Sequence, residues 1–336
     1  MLGIEKKVET ITDCKFGSIS AEILKSTKPL ILKGLVSDWP MVKAGLKSNS
    51  EASKYIISFY KGESVVAFLS DTNKGRFSYD ESIKGFNYHA VDTKLDFALE
   101  QLNLNIGNGN SPAIYIGSTA VDTYLPGFST ENELKLNGLK SIASIWISNR
   151  CQIAAHWDGP NNLACSVVGR RRFTLFPPDQ LENLYVGPLD KTPAGQSISL
   201  VDFYNPDFEK YPKFKEALSH AQVADLEPGD ALFIPSMWWH HVESLGELNV
   251  LVNYWVRDIP SYYGNGLDAL IHSILSIKML PEEQRQAWKK LFNHYVFEHD
   301  KENFSHIPSD ALGSLGDITE TEARKIRSTL LNRLNK

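Results

Sequence analysis

Two stretches decide the fold: Ala155-His156-Trp157-Asp158, and Pro228-Gly229-Asp230-Ala231-Leu232-Phe233-Ile234-Pro235-Ser236-Met237-Trp238-Trp239-His240-His241. On an extended strand residues two apart share a face, so His156 and Asp158 are expected to point one way and Trp157 the other. An imidazole and a carboxylate then converge. A third ligand from a distant strand would complete a two-histidine, one-carboxylate set on one side of a metal, with positions left open for substrates and O2. That arrangement suits non-haem Fe(II). A lone His-x-Asp triplet is more often a surface pair or a helix cap than a set of ligands, so the weight of the metal reading lies in the second stretch. His240 and His241 cannot both face one side of a strand, so one is a ligand and the other packs behind it.

Working outward, Lys28–Gly34, Ala113–Gly117, Ala143–Ser148 and Asn249–Val256 are short, β-branched or aromatic, and bounded by turn residues, as strands are. Leu95, Leu99 and Leu102 recur at helical spacing within 92–102. The segment 179–225, rich in Pro, Asn, Asp and Tyr, reads as a long insertion between core strands. Near Ser261 the period turns helical. Leu267, Leu270, Ile271, Ile274 and Leu275 form one stripe, and Trp288, Leu291, Phe292 and Tyr295 form another behind Pro281 at a first helical position. Thr319 and Glu322 form a capping box ahead of a third helix. The expected division is a barrel domain over 1–260 and a helical segment over 261–336.

The spacing from Gly229 through Pro235 to His240 resembles the second motif of the cupin barrels and selects His240 over His241. His156, Asp158, Asn162 and Gly169 resemble the first. Closer still is the resemblance to the JmjC-type oxygenases, and among them to the cupin-like group that includes an asparaginyl hydroxylase acting on the hypoxia-inducible factor. It is carried by His156-Trp157-Asp158, Gly169-Arg170-Arg171-Arg172-Phe173-Thr174-Leu175-Phe176-Pro177-Pro178-Asp179, Val201-Asp202-Phe203-Tyr204-Asn205-Pro206, Ile234 to Leu245 and Val252-Asn253-Tyr254-Trp255. Pro29 to Pro40 looks like the family's entry strand.

The resemblance implies a mainly β fold with added helices, a double-stranded β-helix of cupin or jelly-roll type. It also implies Fe(II) held by His156, Asp158 and His240, and 2-oxoglutarate as a co-substrate oxidised to succinate. Where the family carries a lysine for the distal carboxylate of that co-substrate, this chain has Arg171. Counting by twos, Arg171 shares a face with Phe173 and Leu175, while Arg170 and Arg172 share the other. A buried guanidinium needs an anion, and its planar fork suits a carboxylate. Ile153 stands where a hydroxyl-bearing residue is expected. Tyr115 is the candidate to supply that hydroxyl, Asn162 matches a polar contact of the family, and Asn253 is a candidate co-substrate contact; Tyr115 and Asn253 are equally readable as satisfied core polar groups.

Thirty-five Lys+Arg against 40 Asp+Glu give a net charge of −5, which supplies no broad positive field for nucleic acid or anionic membrane. No apolar run reaches the ~20 residues of a membrane helix, and the charged N-terminus does not resemble a signal peptide. Cys14, Cys151 and Cys165 form no CxxC pair and suit buried thiols in a reducing cytoplasm. The expectation is a cytoplasmic oxygenase, most simply a hydroxylase of a protein side chain or a small molecule, paired as a homodimer through its C-terminal helices. The alternatives are a cupin using Zn or Mn for hydrolysis or isomerisation, and a non-catalytic anion-binding cupin.

Overall fold

Asn249–Val256 shows how the sequence builds the barrel. Val250, Val252, Tyr254 and Val256 alternate with Leu251, Asn253 and Trp255, and the two sets face opposite sides of one strand. The computed structural model describes residues 2–71, 75–109, 111–257 and 259–335. Its strands are β1 (Glu9–Ile11), β2 (Leu30–Leu32), β3 (Ser64–Ser70), β4 (Arg76–Phe77), β5 (His89–Lys94), β6 (Ala113–Ala120), β7 (Ser141–Ser148), β8 (Cys151–His156), β9 (Asn161–Val168), β10 (Arg171–Phe176), β11 (Gln222–Leu226), β12 (Ala231–Ile234), β13 (Trp239–Ser244) and β14 (Asn249–Val256).

They form a large sheet in the order β1-β2-β12-β9-β14-β7-β6-β3-β5 and a small one in the order β11-β10-β13-β8-β4. Pairing is antiparallel except for β1 with β2 and β4 with β8. The two sheets enclose a jelly-roll interior of Phe173, Leu175, Leu232, Ile234, Val242 and Leu251. Behind the large sheet, Met41, Val42, Ile56 and Leu99 from the helices Pro40–Lys47, Asn49–Phe59 and Leu95–Leu104 cover Ile145, Ile147, Val250 and Val252. Each such side chain contributes about 1.5–3 kcal/mol by leaving water.

The expected insertion runs between β10 and β11, includes the helix Phe214–His220, and packs Leu184, Val201, Phe203 and Phe214 on Phe176 and Trp239. Two motif glycines are required by their surroundings. Gly169 has φ +72°, and a Cβ there would lie 2.4 Å from Asn249 Oδ1; Gly229 has φ +100° and closes on Ser37. Asp230, buried beside it, accepts from Gly34 N–H (2.9 Å) and Lys33 (2.7 Å), fastening the turn to the end of β2.

Three local expectations are corrected. Residues 92–94 extend β5, and the helix begins only at Leu95, because Asp92 and Lys94 pair with Val66 and Ser64. The strand expected over 28–34 is confined to Leu30–Leu32, the turn at Gly34 (φ +67°) ending it. Cys14 is half-buried, whereas Cys151 and Cys165 are buried; all three are free thiols.

Residues 259–335 form a second compact unit. It has helices Gly266–Ile277, Glu282–Phe292 and Glu320–Leu334, the last closed by the Thr319–Glu322 capping box. Pro281 is the residue before its helix rather than the first one in it. The unit's apolar stripes are partly open: Leu270, Ile271, Leu275, Trp288 and Leu291 are exposed, whereas Leu267, Ile274 and Phe292 are half-buried. No described helix is long and apolar enough to cross a membrane.

Candidate metal centre and its cavity

His156 ends β8 and pairs in register with His240 on β13, which sets the two rings side by side with centroids 4.3 Å apart. Asp158 is not on the strand. β8 stops at His156, and Asp158 lies in the following turn, which corrects the expected shared strand face. Met237 N–H donates to the Asp158 carbonyl (2.9 Å), and Ser236 donates to Asn161 Oδ1 (2.8 Å) and to the Gly159 carbonyl (2.6 Å). These bonds clamp the two motif turns together. One ligand atom each from His156, Asp158 and His240 then falls within 4.8 Å of the others, with Asp158 Oδ2 3.7 Å from His240 Nε2.

The protonation states suit a divalent cation. His156 Nδ1 lies 2.9 Å from the Ala154 carbonyl and His240 Nδ1 3.0 Å from the Trp238 carbonyl. A carbonyl only accepts, so both Nδ1 atoms carry a proton and both Nε2 atoms are left to face the cluster. Burial, with the neighbouring His156, pushes His240 down to about 4, so its ring is neutral near pH 7. Burial alone would raise Asp158, but His240, His156 and hydrogen bonds from Trp255 and Asn162 outweigh it and hold the carboxyl below its usual range. A neutral His240 beside an ionised carboxylate is what metal binding requires.

The cluster opens on a cavity of about 60 Å³ that is also lined by Tyr115, Ile153, Asn162, Arg171 and Asn253. β10 pairs with β13 so that Leu175 lies opposite His240 and Arg171 opposite Ser244, which puts the arginine four residues, about 13 Å, further along the barrel. The outward-facing arginines are paired: Arg170 with Glu227 at 2.9 Å, and Arg172 with Asp225 at 2.6 Å. Among the described residues Arg171 has no such partner. It is 3% exposed, and its Nε and Nη2, the two donors on one edge of the guanidinium fork, have no hydrogen-bond acceptor. Burial lowers its pKa, an effect only partly offset by Cys151 and Tyr115 nearby. Burial pushes the Tyr115 phenol well above its ordinary value, so it is a neutral donor.

The other sequence candidates fall where their strands put them. Asn162 donates to Asp158 Oδ2 (2.9 Å), and Asn253 donates to Asn162 Oδ1 (3.3 Å), so both amides face the cavity already engaged with one another and with the carboxylate. His241 points to the other side of β13, opposite Thr174, and stacks on Phe203 at 4.4 Å. Two contributors were not assigned a role from sequence. Trp255 Nε1 donates to Asp158 Oδ2 (3.1 Å), and Trp146 Nε1 donates to Asn253 Oδ1 (2.7 Å). The available signal was that a buried indole N–H needs an acceptor, and that Trp255 sits two residues from Asn253 on one strand face.

A jelly-roll barrel that gathers His-x-Asp and a distant histidine around an interior cavity is a cupin of the JmjC type. The chain belongs to the cupin-like domain family, which it matches over residues 17–262. It is 37% identical over 119 residues to lysine-specific demethylase JMJ31 of Arabidopsis thaliana, covering 34% of this chain and 21% of that protein. It is 36% identical over 125 residues to HSPB1-associated protein 1 of Homo sapiens, covering 36% and 24%. It is 32% identical over 154 residues to tRNA wybutosine-synthesizing protein 5 of Gallus gallus, covering 41% and 45%. The matches thus span less than half the length of each of these curated relatives.

Proposed function

We propose that the chain is an Fe(II)- and 2-oxoglutarate-dependent oxygenase that hydroxylates a protein side chain or a small molecule. The observation that carries this is the pairing, in one cavity, of a two-histidine, one-carboxylate cluster with a buried guanidinium whose fork has no acceptor. An unpaired buried charge is costly unless a ligand meets it, and a carboxylate meets the fork with two hydrogen bonds. His156, Asp158 and His240 would hold the metal; Arg171 would hold the distal carboxylate, with Tyr115 as a second donor. Fe(II) in such a site supplies O2 activation coupled to oxidation of the 2-oxo acid to succinate. The protein's share is to orient that acid, keep the His240 ring neutral, and exclude water from the apolar walls at Ile153, Phe173 and Val242.

The charge of −5 disfavours a polyanionic prime substrate. Helices beyond residue 259, with their exposed stripes, would pair two copies of the chain in the cytoplasm. Aerobic incubation with Fe(II) and 2-oxoglutarate tests the main reading. Succinate formation that disappears in His240→Ala supports it, and mass spectrometry of co-purified partners for a gain of one oxygen atom would then find the substrate. Tight metal binding with no 2-oxoglutarate binding would replace it with a metal-dependent hydrolase or isomerase.

A further inference from the structure

Among the three candidate ligands Asp158 is placed differently. His156 and His240 ride on paired strands of the small sheet, whereas Asp158 lies in a turn, where no ladder sets its side chain. Its carboxylate is instead held from the large sheet. Trp146 on β7 donates to Asn253 Oδ1 on β14 (2.7 Å), Asn253 Nδ2 donates to Asn162 Oδ1 on β9 (3.3 Å), and Asn162 Nδ2 donates to Asp158 Oδ2 (2.9 Å). The register makes the path diagonal. Trp146 lies opposite Leu251 and Asn162 opposite Trp255, and Asn253 falls midway between on the same strand face.

The chain has a direction. Indole N–H can only donate, so it must meet the oxygen of Asn253; the Asn253 amine must then meet the oxygen of Asn162, and the Asn162 amine is turned onto Asp158. The carboxylate can only accept and the indole can only donate, so the chain is fixed from both ends; without the indole, Asn253 Oδ1 loses its donor and the two amides are held from the carboxylate end alone. The indole itself is wedged between Tyr115 and Trp255, each with ring centroids 6.0 Å away. We infer that Trp146 is a positioning residue for the metal centre, acting through Asn253 and Asn162 to fix the hydrogen bond that orients Asp158, without itself contacting the ligand cluster. This rests on the metal reading above.

The test is Mn²⁺ affinity of the full-length protein, by calorimetry and without turnover. Trp146→Phe, which keeps an aromatic ring and removes the donor, is expected to weaken Mn²⁺ by about tenfold, as the loss of an outer partner of a metal ligand commonly does. Asn253→Leu, close in shape, should give a similar loss. In an Asn162→Ala background, where the chain is already cut, Trp146→Phe should add nothing, whereas Trp255→Phe should still add its own loss. Circular dichroism establishes which variants are folded, and Asn253→Leu serves if Trp146→Phe is not. Unchanged Mn²⁺ affinity in a folded single variant, or additive losses in the double variant, would overturn the relay while leaving the metal site standing. A wild-type protein that binds neither Mn²⁺ nor Fe(II) would overturn the metal reading and the relay together.

Discussion

The two ends of the barrel cavity are built on opposite principles. At the histidine end the polar groups are provided for: each Nδ1 has a backbone carbonyl, and Asp158 Oδ2 has Asn162 and Trp255, so the atoms left over converge on one point. At the Arg171 end the protein brings a charge inside and leaves two of its donors unmet. The difference teaches that the histidine end is organised by the protein's own hydrogen bonds, whereas the arginine end keeps donors that no described protein group meets. Preorganisation at one end and an uncompensated charge at the other make opposite predictions for mutation, because removing a satisfied group destroys something and removing an unsatisfied one relieves something.

The largest effect is expected from His240→Ala. It should lower divalent-metal affinity by more than the roughly 100-fold that loss of an outer partner can cost, and His241→Ala should leave the metal bound; equilibrium dialysis against Mn²⁺ separates the two. The reverse result would move the centre to the other face of β13 and erase the contrast between the ends. Next, Arg171→Ala should weaken 2-oxoglutarate binding to the Mn²⁺ form by about 2–5 kcal/mol with little change in metal affinity. Calorimetry giving equal 2-oxoglutarate affinity in the two proteins would remove the anion assignment.

The sharper form of the same comparison is Arg171→Met. Replacing an unpaired buried charge by an apolar side chain of similar length should stabilise the ligand-free protein by about 1–4 kcal/mol. Chemical denaturation is the measurement, and a loss of stability would mean that Arg171 meets its counter-charge inside the protein. A smaller effect concerns pH. Burial holds His240 near 4 and His241 near 3 in the folded chain, below the ordinary histidine value. The unfolded chain therefore takes up more protons as pH falls from about 6.5 towards those values, so these two residues make stability decline over that window. In His241→Phe, whose ring can stack on Phe203 as the imidazole does, the decline on acidification should be shallower; an unchanged slope would show that His241 is solvated. The smallest effect on the barrel is expected from Leu275→Glu on the exposed helix Gly266–Ile277. It should shift light-scattering mass towards one chain while leaving Mn²⁺ affinity untouched.

The candidate site was legible in the sequence where ligand chemistry coincides with turn chemistry. Gly229 can adopt its positive φ beside Ser37, Pro235 precedes the next turn, and His240 follows at a fixed count, so local constraints and the third candidate ligand are written in one string. The inward face of Arg171 was equally legible, because alternation along β10 is a local property shared with Phe173 and Leu175. The position of Asp158 was not. Strand periodicity was extended two residues too far, and the clamp from Ser236 and Met237 that turns the chain belongs to a loop distant in sequence.

What the residues determined unaided is therefore the repetitive and the local: alternation that makes strands, glycines that make turns, a capping box that starts a helix, and donor types fit for a metal. What only the tertiary structure decided is which groups are left over after pairing. That Arg170 and Arg172 find carboxylates and Arg171 finds none among the described residues, that Trp146 reaches Asp158 through two amides, and that His241 stacks on Phe203 all depend on strands far apart in sequence being brought to hydrogen-bond distance. Side-chain identity sets how many bonds a group can make; the fold alone sets whether a partner lies within about 3 Å to make them.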